Sequence, residues 1–240
     1  MAFLDDYKRF YGTGERNRAG QTLDEFLEDY NPKLYDCPSN TTDIIVVKCK
    51  EKLTRWGQPL QVLLVKRANH PGIGFWATPG GFVDLKENLM EGAARELEEE
   101  TGVKGLPLQQ LYTWGDYDRD PRWRVITTSF LALVEGDIPV KAGDDAADAL
   151  WMDVSLSLEE TNTGSNVETW KLDLKNEAHQ VQAGARIRIA RSSHLLLSQE
   201  RYELVESQGL AADHGCLITQ ALLYLRERLN GLMFNQEEVS

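Results

Sequence analysis

Three glutamates, Glu96, Glu99 and Glu100, form the group whose residue type and spacing most clearly predict chemistry. In a helix, positions three and four residues apart share one face, so the three carboxylates would lie within a few ångströms of each other. Like charges at that distance repel unless cations lie among them, and carboxylate oxygens suit Mg²⁺ or Mn²⁺. The glycine-rich segment at residues 79–81 allows close backbone approach, which can bring a carbonyl to the same metals. This pattern predicts a divalent-metal site that binds phosphate oxygens.

A helix from about Asn88 to Thr101 is expected to carry these glutamates. Asn88 can cap its first turn, Glu91 occupies the capping-box position three residues later, and Gly102 suits the left-handed conformation that ends many helices. A glutamate-rich helix can also be no more than a solvated acidic face, and composition alone favours that interpretation. The surrounding sequence decides between the two.

The sequence around this helix resembles the Nudix box. Five residues separate Gly81 from Glu87. Seven further residues separate Glu87 from the run Arg95-Glu96-Leu97-x-Glu99-Glu100-x-Gly102-Val103. So many specified positions coincide very rarely by chance at average residue usage. On this resemblance the chain is identified as a member of the Nudix hydrolase family.

The resemblance implies a role for each position of the box. The three glutamates would bind the divalent metal, Mg²⁺ or Mn²⁺, with the carbonyl of Gly80 as a further ligand and Glu87 supporting the site. Glu99, Glu100 and Arg95 would be catalytic, with Arg95 pairing with a glutamate and fixing its conformation rather than binding metal. The implied reaction is attack of water on a phosphorus atom of a nucleoside diphosphate joined to another group, assisted by two or more metals.

Three further segments are similar to the ADP-ribose pyrophosphatase branch of the family: residues 115–122, residues 212–214 and residues 30–43. ADP-ribose or a related nucleotide-sugar is therefore the expected substrate, with AMP and a sugar phosphate as products. A dinucleotide, a dinucleoside polyphosphate or an oxidised nucleotide is the nearest alternative.

An ADP-ribose-sensing Nudix regulator without turnover is the alternative from a different class. Such repressors carry a winged helix after the Nudix domain, whereas this sequence stops about ten residues after its last predicted helix. The intact glutamates of the box and the acidity of the chain also favour the enzyme.

Arginines near the box are candidate substrate ligands. Arg119 and Arg122 are expected to clamp a diphosphate or a terminal ribose, and Arg67 at the end of a strand is a further candidate. Guanidinium groups suit these roles because they bind phosphate through two parallel hydrogen bonds. Pairing of Arg119 and Arg122 with Asp118 or Asp120 is an equally good interpretation.

Aromatic and acidic residues complete the set of candidates. Trp114, Trp123 or Trp76 can stack on adenine, although tryptophans at such positions more often belong to the core. Asp144 and Asp145 lie in an acidic loop before a late strand and are candidate general bases. An exposed turn is the alternative for that loop.

Composition excludes several other classes of function. The 240 residues carry 26 basic and 38 acidic side chains, and the net charge of −12 argues against a nucleic-acid partner. No apolar run approaches the length of a membrane span. The three cysteines match neither a disulfide framework nor a zinc site, so a cytoplasmic location is expected. The resemblance further implies a homodimer in which the aromatic-rich N-terminal segment builds the partner's adenine site.

The predicted fold is an α/β sandwich of the Nudix type with a mixed sheet. Residues 1–40 form an N-terminal extension, and residues 41–235 form the hydrolase domain. Alternating apolar residues predict a β-rich insertion at 160–207, to which the sequence assigns no role.

Local patterns predict the individual elements. The N-terminal extension would contain a helix over residues 3–11 and a second helix opened by a capping box of Thr22 and Glu25. A final helix is expected over residues 213–229, with His214 satisfying its first turn, and a loop over residues 71–81. Strands are expected near 42–49, 59–66, 107–114, 124–134 and 149–154.

Overall fold

A computed structural model describes residues 2–143, 146–195 and 197–237, with side chains described as far as Gly231. The chain divides into two units, Met1–Pro38 and Ser39–Ser240. Within the described residues, no helix combines the length and the apolar character needed to cross a membrane.

The N-terminal unit contains one α-helix, α1 (Leu23–Asp29), and short 3-10 helices at Lys8–Phe10 and Pro32–Leu34. The capping box of Thr22 and Glu25 is confirmed at the start of α1. The helix predicted over residues 3–11 is wrong, because only the three-residue 3-10 helix forms there. The carboxylate of Asp6 accepts the backbone N–H of Lys8, and such local bonds compete with helix formation.

Ten strands of the second unit form one mixed sheet, which confirms the predicted α/β sandwich. The strands lie in the order β10-β9-β8-β7-β2-β1-β6-β5, with β3 on β2 and β4 on β1. Among the strand pairings that the structure describes, β1 with β6 is parallel and the others are antiparallel. The strands are β1 (Ser39–Cys49), β2 (Leu60–Arg67), β3 (Trp76–Ala77), β4 (Gly80–Phe82), β5 (Gln109–Trp114), β6 (Val125–Glu135), β7 (Ala146–Asn162), β8 (Val167–Asn176), β9 (Val181–His194) and β10 (Leu197–Gln208).

Two helices cover opposite faces of this sheet: α2 (Leu89–Thr101) and α3 (His214–Glu237). Successive side chains of a strand point to opposite faces. Accordingly, Ile44 and Val46 of β1 join the buried cluster that contains Leu97 of α2. Ile45 and Val47 join the cluster of α3. The unbroken apolar run of β1 therefore builds both halves of the core.

A fork between β1 and β2 creates the space in which the candidate site lies. The two strands pair at Val47–Val62 and Lys48–Gln61. Beyond this point β4 pairs with β1 along Thr41–Asp43, and β3 pairs with β2 at Val65–Lys66. The loop predicted over residues 71–81 is thus partly wrong, because two short strands fill the fork.

The β-rich character of residues 160–207 is confirmed, but the segment continues the main sheet. β7 runs without interruption across residue 160, and β8 to β10 add to it as an antiparallel meander. The predicted alternation is present, with Leu172, Leu174, Ile187 and Ile189 almost fully buried. These side chains belong to the same core cluster as α3.

Candidate active site

Helix α2 is held in one rotational position by its ends and its apolar side. The Glu91 carboxylate accepts the backbone N–H of Asn88 at 3.0 Å, and Gly102 ends the helix with a φ of 72°. Ala93 and Leu97 are buried against the sheet. These contacts confirm the predicted helix and turn its glutamates toward the fork.

Glu100 lies against the backbone of the fork. Its carboxylate accepts the N–H of Gly80 at 2.9 Å. Burial raises the pKa of Glu100 to about 7, with the nearby charges of Glu96 and Asp43 adding to the increase and the Gly80 N–H opposing it. The side chain is therefore a carboxylate whose negative charge is poorly solvated in this arrangement.

Two glycines allow this close packing. A Cβ atom on Gly81 would lie 2.5 Å from the carboxyl carbon of Glu96, and one on Gly80 would lie 2.0 Å from the carbonyl oxygen of Thr42. Gly80 also has a φ of 154°, which side-chain-bearing residues rarely adopt. Gly81 therefore lies directly against the carboxylate of Glu96, and Gly80 lies directly against the backbone of β1.

Arg95 binds three of the glutamates at once. Its Nε and Nη2 donate to the two oxygens of Glu87, each at 2.9 Å. Its Nη1 donates to Glu96 at 2.8 Å and to Glu99 at 3.0 Å. These bonds hold the pKa of Glu87 below its usual value and raise that of Arg95. Burial raises the pKa of Glu96, and the bond to Arg95 opposes that increase.

The donor set of this helix face suits a divalent cation. Among the residues that the structure describes, no three Asp, Glu, His or Cys side chains converge on one point. Arg95 draws Glu96 and Glu99 to itself, whereas Glu100 turns toward Gly80. The carboxylate oxygens are hard ligands, and the raised pKa values of Glu96 and Glu100 show charges that a cation would stabilise. The missing Cβ of Gly81 leaves room beside them.

A cavity of about 650 Å³ opens beside these glutamates, and Glu96 and Glu100 line it together with Arg67. The Nε of Arg67 donates to the carbonyl of Pro71 at 2.7 Å. No partner among the described residues takes its other guanidinium N–H groups. Arg67 therefore contributes a cationic group to the cavity lining.

The other two predicted arginines also line the cavity, but both are paired. Arg119 forms a two-bond ion pair with Asp213, at 3.0 and 2.9 Å, and only 9% of its side chain is exposed. Arg122 forms such a pair with Asp120 and lies 5.3 Å from the centre of the Phe82 ring. The alternative interpretation is thus confirmed for Arg122. For Arg119 that interpretation is wrong, because its partner is Asp213, which is distant in sequence.

Two other predictions are placed elsewhere. Trp114 is buried in the core cluster of α3, where its Nε1 donates to the Ser129 hydroxyl at 3.2 Å. It does not line the cavity, so stacking on adenine is not supported for it. Asp144 and Asp145, the candidate bases, lie outside the described residues. The preceding Gly143 donates its N–H to the carbonyl of Glu100 at 3.0 Å.

A buried polar network that the sequence did not indicate forms another part of the wall. The Thr78 hydroxyl donates to Asp43 at 3.1 Å, and the Thr127 hydroxyl donates to the other Asp43 oxygen at 2.6 Å. The Nδ1 of His214 lies 2.8 Å from the same Thr78 hydroxyl. The side chain of His214 thus contacts Thr78 instead of the first turn of α3. No local signal marks these partners, because up to 136 positions separate them.

Comparison with known proteins identifies the family. The family model of the NUDIX domain matches residues 42–169, which is more than half of the chain. The chain therefore belongs to the Nudix family. A solved structure, the MutT/nudix family protein from Enterococcus faecalis, is similar with a TM-score of 0.61 and 30% identity, covering 86% of this chain and 70% of that chain.

Curated relatives include an enzyme and a regulator. The chain is 42% identical over 95 residues to the ADP-ribose pyrophosphatase of Methanocaldococcus jannaschii, covering 40% of this chain and 56% of that protein. It is 40% identical over 111 residues to the ADPR responsive transcriptional repressor NtrR of Acinetobacter baylyi, covering 45% of this chain and 42% of that protein. The chain thus spans about half the length of these relatives.

Proposed function

We propose that this protein is a divalent-metal-dependent hydrolase of a nucleoside diphosphate joined to another group, with ADP-ribose as the leading substrate. The observation that carries the proposal is the face of α2, where Glu96 and Glu100 open onto the cavity above Gly80 and Gly81. The similarity to the pyrophosphatase of M. jannaschii supports the choice of substrate. The products would be AMP and ribose 5-phosphate.

The residues of the helix face take separate roles in this proposal. Glu96, Glu99 and Glu100 would hold Mg²⁺ or Mn²⁺, with the Gly80 carbonyl as a further ligand. When bound, such cations polarise a phosphate and lower the pKa of a bound water. Arg95 orients the glutamates through its bonds to Glu87, Glu96 and Glu99.

The remainder of the cavity would bind the substrate. A volume of about 650 Å³ lies within the usual range for small-molecule sites, roughly 300–1,000 Å³. The guanidinium N–H groups of Arg67 that have no partner among the described residues would bind the diphosphate through charge-assisted hydrogen bonds. Arg122 and Phe82 lie together at the cavity lining, with the exposed Phe82 ring offering a surface for a base or a ribose. Asp144 and Asp145 stay candidates for the general base.

Product analysis tests the proposal. The full chain would be incubated with ADP-ribose, NADH, diadenosine polyphosphates and 8-oxo-dGTP, each with Mg²⁺ and with chelator. We expect AMP and ribose 5-phosphate from ADP-ribose, and no product after chelation. Faster cleavage of another substrate would keep the reaction class and replace the leading substrate. Undiminished cleavage in chelator would contradict the role of the metal.

A second candidate is an ADP-ribose-sensing regulator, and the similarity to NtrR of A. baylyi favours it. The box glutamates are all present, which is the property expected of an enzyme. The two candidates separate in the same experiment. A regulator would release no AMP, yet ADP-ribose would raise its melting temperature because a ligand stabilises the state it binds.

We also propose that the protein is a homodimer that depends on its N-terminal unit. That unit exposes several aromatic side chains, among them Phe3, Phe10, Tyr30 and Tyr35. Light scattering on the full chain and on a variant lacking residues 1–38 tests this role. We expect loss of the dimer or of activity on deletion, and a fully active dimer without these residues would contradict it.

A further inference from the structure

Thr78 and Pro79 form the link between β3 and β4, and this link sets the position of Gly80. Pro79 has no amide hydrogen, so the N–H of Thr78 is the only backbone donor of the link. The carbonyl of Pro79 accepts the N–H of Ile44 at 2.8 Å. The N–H of Thr78 donates to the Nδ1 of His214 at 3.2 Å. The link is therefore held from β1 on one side and from α3 on the other.

The direction of this bond indicates which nitrogen of the His214 imidazole carries the proton. A backbone N–H can only donate, so the Nδ1 of His214 must accept, which places the ring proton on Nε2. The same Nδ1 lies 2.8 Å from the Thr78 hydroxyl, whose single proton can be donated to Nδ1 or to the Asp43 carboxylate 3.1 Å away. Thr78 is 2% exposed and His214 is 8% exposed, so water does not readily replace these bonds.

The segment before α3 brings His214 to the link. The N–H of Trp76 donates to the carbonyl of Gly209, and the N–H of Ala211 donates to the carbonyl of Trp76, both at 2.8 Å. Ala212 then has a φ of 39°, a left-handed conformation that alanine rarely adopts. Such a conformation persists where contacts on both sides enforce it. Here the enforcing contacts are the Ala211–Trp76 bond before Ala212, and the bond of His214 to Thr78 and the Asp213–Arg119 ion pair after it.

We infer that His214 is a positioning residue for the metal-binding end of the site. It holds Thr78, and through the link it holds Gly80, whose N–H orients the carboxylate of Glu100. This inference rests on the proposed function, because Glu100 binds metal only in that proposal. Loss of a group that hydrogen-bonds a metal ligand lowers metal affinity about 10–100-fold, and we expect the lower end of that range for His214, which acts through Thr78 and Gly80. His214 therefore contributes to metal affinity through its Nδ1 atom.

Binding of Mn²⁺ to the full chain without substrate, measured from the electron paramagnetic resonance signal of free Mn²⁺, tests the inference. His214→Ala should weaken Mn²⁺ binding about tenfold. His214→Asn should restore most of the affinity, because the Asn Oδ1 can accept from Thr78 at the place of Nδ1. In activity assays His214→Ala should lower kcat for ADP-ribose and change KM little. The control is Ile218→Val, which changes a buried residue of the same helix and should alter neither Mn²⁺ affinity nor kcat.

The outcomes separate positioning from simple support of the fold. Unchanged Mn²⁺ affinity in His214→Ala, or an Asn variant no better than the Ala variant, would overturn the inference. If His214→Ala does not fold, His214→Asn decides: near-normal Mn²⁺ affinity supports positioning, and weakened affinity in a folded variant contradicts it. Glu100→Gln is measured in parallel. Unchanged Mn²⁺ affinity in that variant would refute the proposed metal site itself, independently of His214.

Discussion

The cavity has two walls with different charge balance. The helix wall is formed by Arg95, Glu96 and Glu100, which line the cavity, and we include Glu87 and Glu99, which bond to Arg95; it has four carboxylates against a single guanidinium group. The network wall is formed by Asp43, Thr78, Arg119 and His214, which line the cavity, and we include Asp213, which pairs with Arg119; in it Asp43 accepts two hydroxyl groups.

This difference in charge balance distinguishes a wall suited to chemistry from a wall that stabilises the fold. Burial raises the pKa of two carboxyl groups of the helix wall, the neighbouring negative charges add to the increase, and a bound cation would stabilise the ionised groups. The network wall has its polar groups paired, as buried polar groups need to be for stability. Substitutions in the helix wall should therefore change chemistry, and substitutions in the network wall should chiefly change stability, with His214 as the member that also affects metal affinity.

The largest effect is expected on the helix wall. Glu99→Gln and Glu100→Gln should lower kcat on the order of 10³-fold, because stabilisation of transition-state charge by a metal amounts to several kcal/mol. The fold should persist, since neither side chain belongs to the apolar core. Glu98→Gln is the matched control, because Glu98 pairs with Lys104 instead. Equal activity of all three variants would refute the assignment of the helix face.

The next effect is expected on the network wall. Asp213→Ala leaves Arg119 buried without its partner, and such a loss costs about 3 kcal/mol of the free energy of unfolding. Urea unfolding measures this cost. The double variant with Arg119→Ala should lose clearly less than the sum of the two single losses. Strict additivity would show that the two side chains do not stabilise each other.

The third effect concerns the stability of the metal-free protein, whose pH dependence should distinguish the helix wall from the network wall. The pKa of Glu100 is raised from 4.5 to about 7, so the folded state binds the proton more tightly than the unfolded state. The contribution of this carboxyl group to the free energy of unfolding is therefore complete below pH 4.5 and is lost as the pH rises through about 7.

The measurement compares the wild type with Glu100→Gln in chelator. The variant cannot ionise at this position, so its stability relative to the wild type should increase by about 2 kcal/mol across that range. Addition of Mg²⁺ should reduce the difference by stabilising the ionised wild type. A difference that does not change with pH would contradict the burial of this charge.

The smallest of these effects concerns Arg67, which lies outside both walls as defined. Arg67→Ala should raise KM for ADP-ribose about tenfold, because a hydrogen bond to a charged group contributes about 1.5–3 kcal/mol. The stability should change little, since the side chain makes a single bond to Pro71. Arg122→Ala, in which an arginine already paired with Asp120 is removed, should have a smaller effect on KM.

Much of the helix wall follows from the sequence alone. The partners of Arg95 lie within eight positions of it, and helix geometry by itself brings Arg95 and Glu99, four positions apart, together. The ends of α2 at Asn88 and Gly102 follow from capping chemistry, which is also local. Similarly, the alternation of Leu172 and Leu174 predicts which side of β8 is buried.

Predictions from local patterns were wrong where a nearby or distant contact competed with the pattern. The apolar spacing of residues 3–11 predicts a helix, but Asp6 captures a backbone N–H there. Trp114 near the arginine-rich segment suggested an adenine platform, but β5 places it in the core. The strands β3 and β4 were missed because two or three residues carry no periodicity, and only the fork between β1 and β2 provides their partners.

The network wall was decided by the tertiary structure. Arg119 and Asp213 are 94 positions apart, and Thr78 and His214 are 136 positions apart. Their meeting depends on the register of the sheet and on the Leu210 bridge to Trp76 that delivers the start of α3. The sequence by itself determined which residues we propose to carry the chemistry, because helix spacing and capping are short-range. Which side chains hold that chemistry in place follows only from long-range packing, where a shift in sheet register would separate every pair.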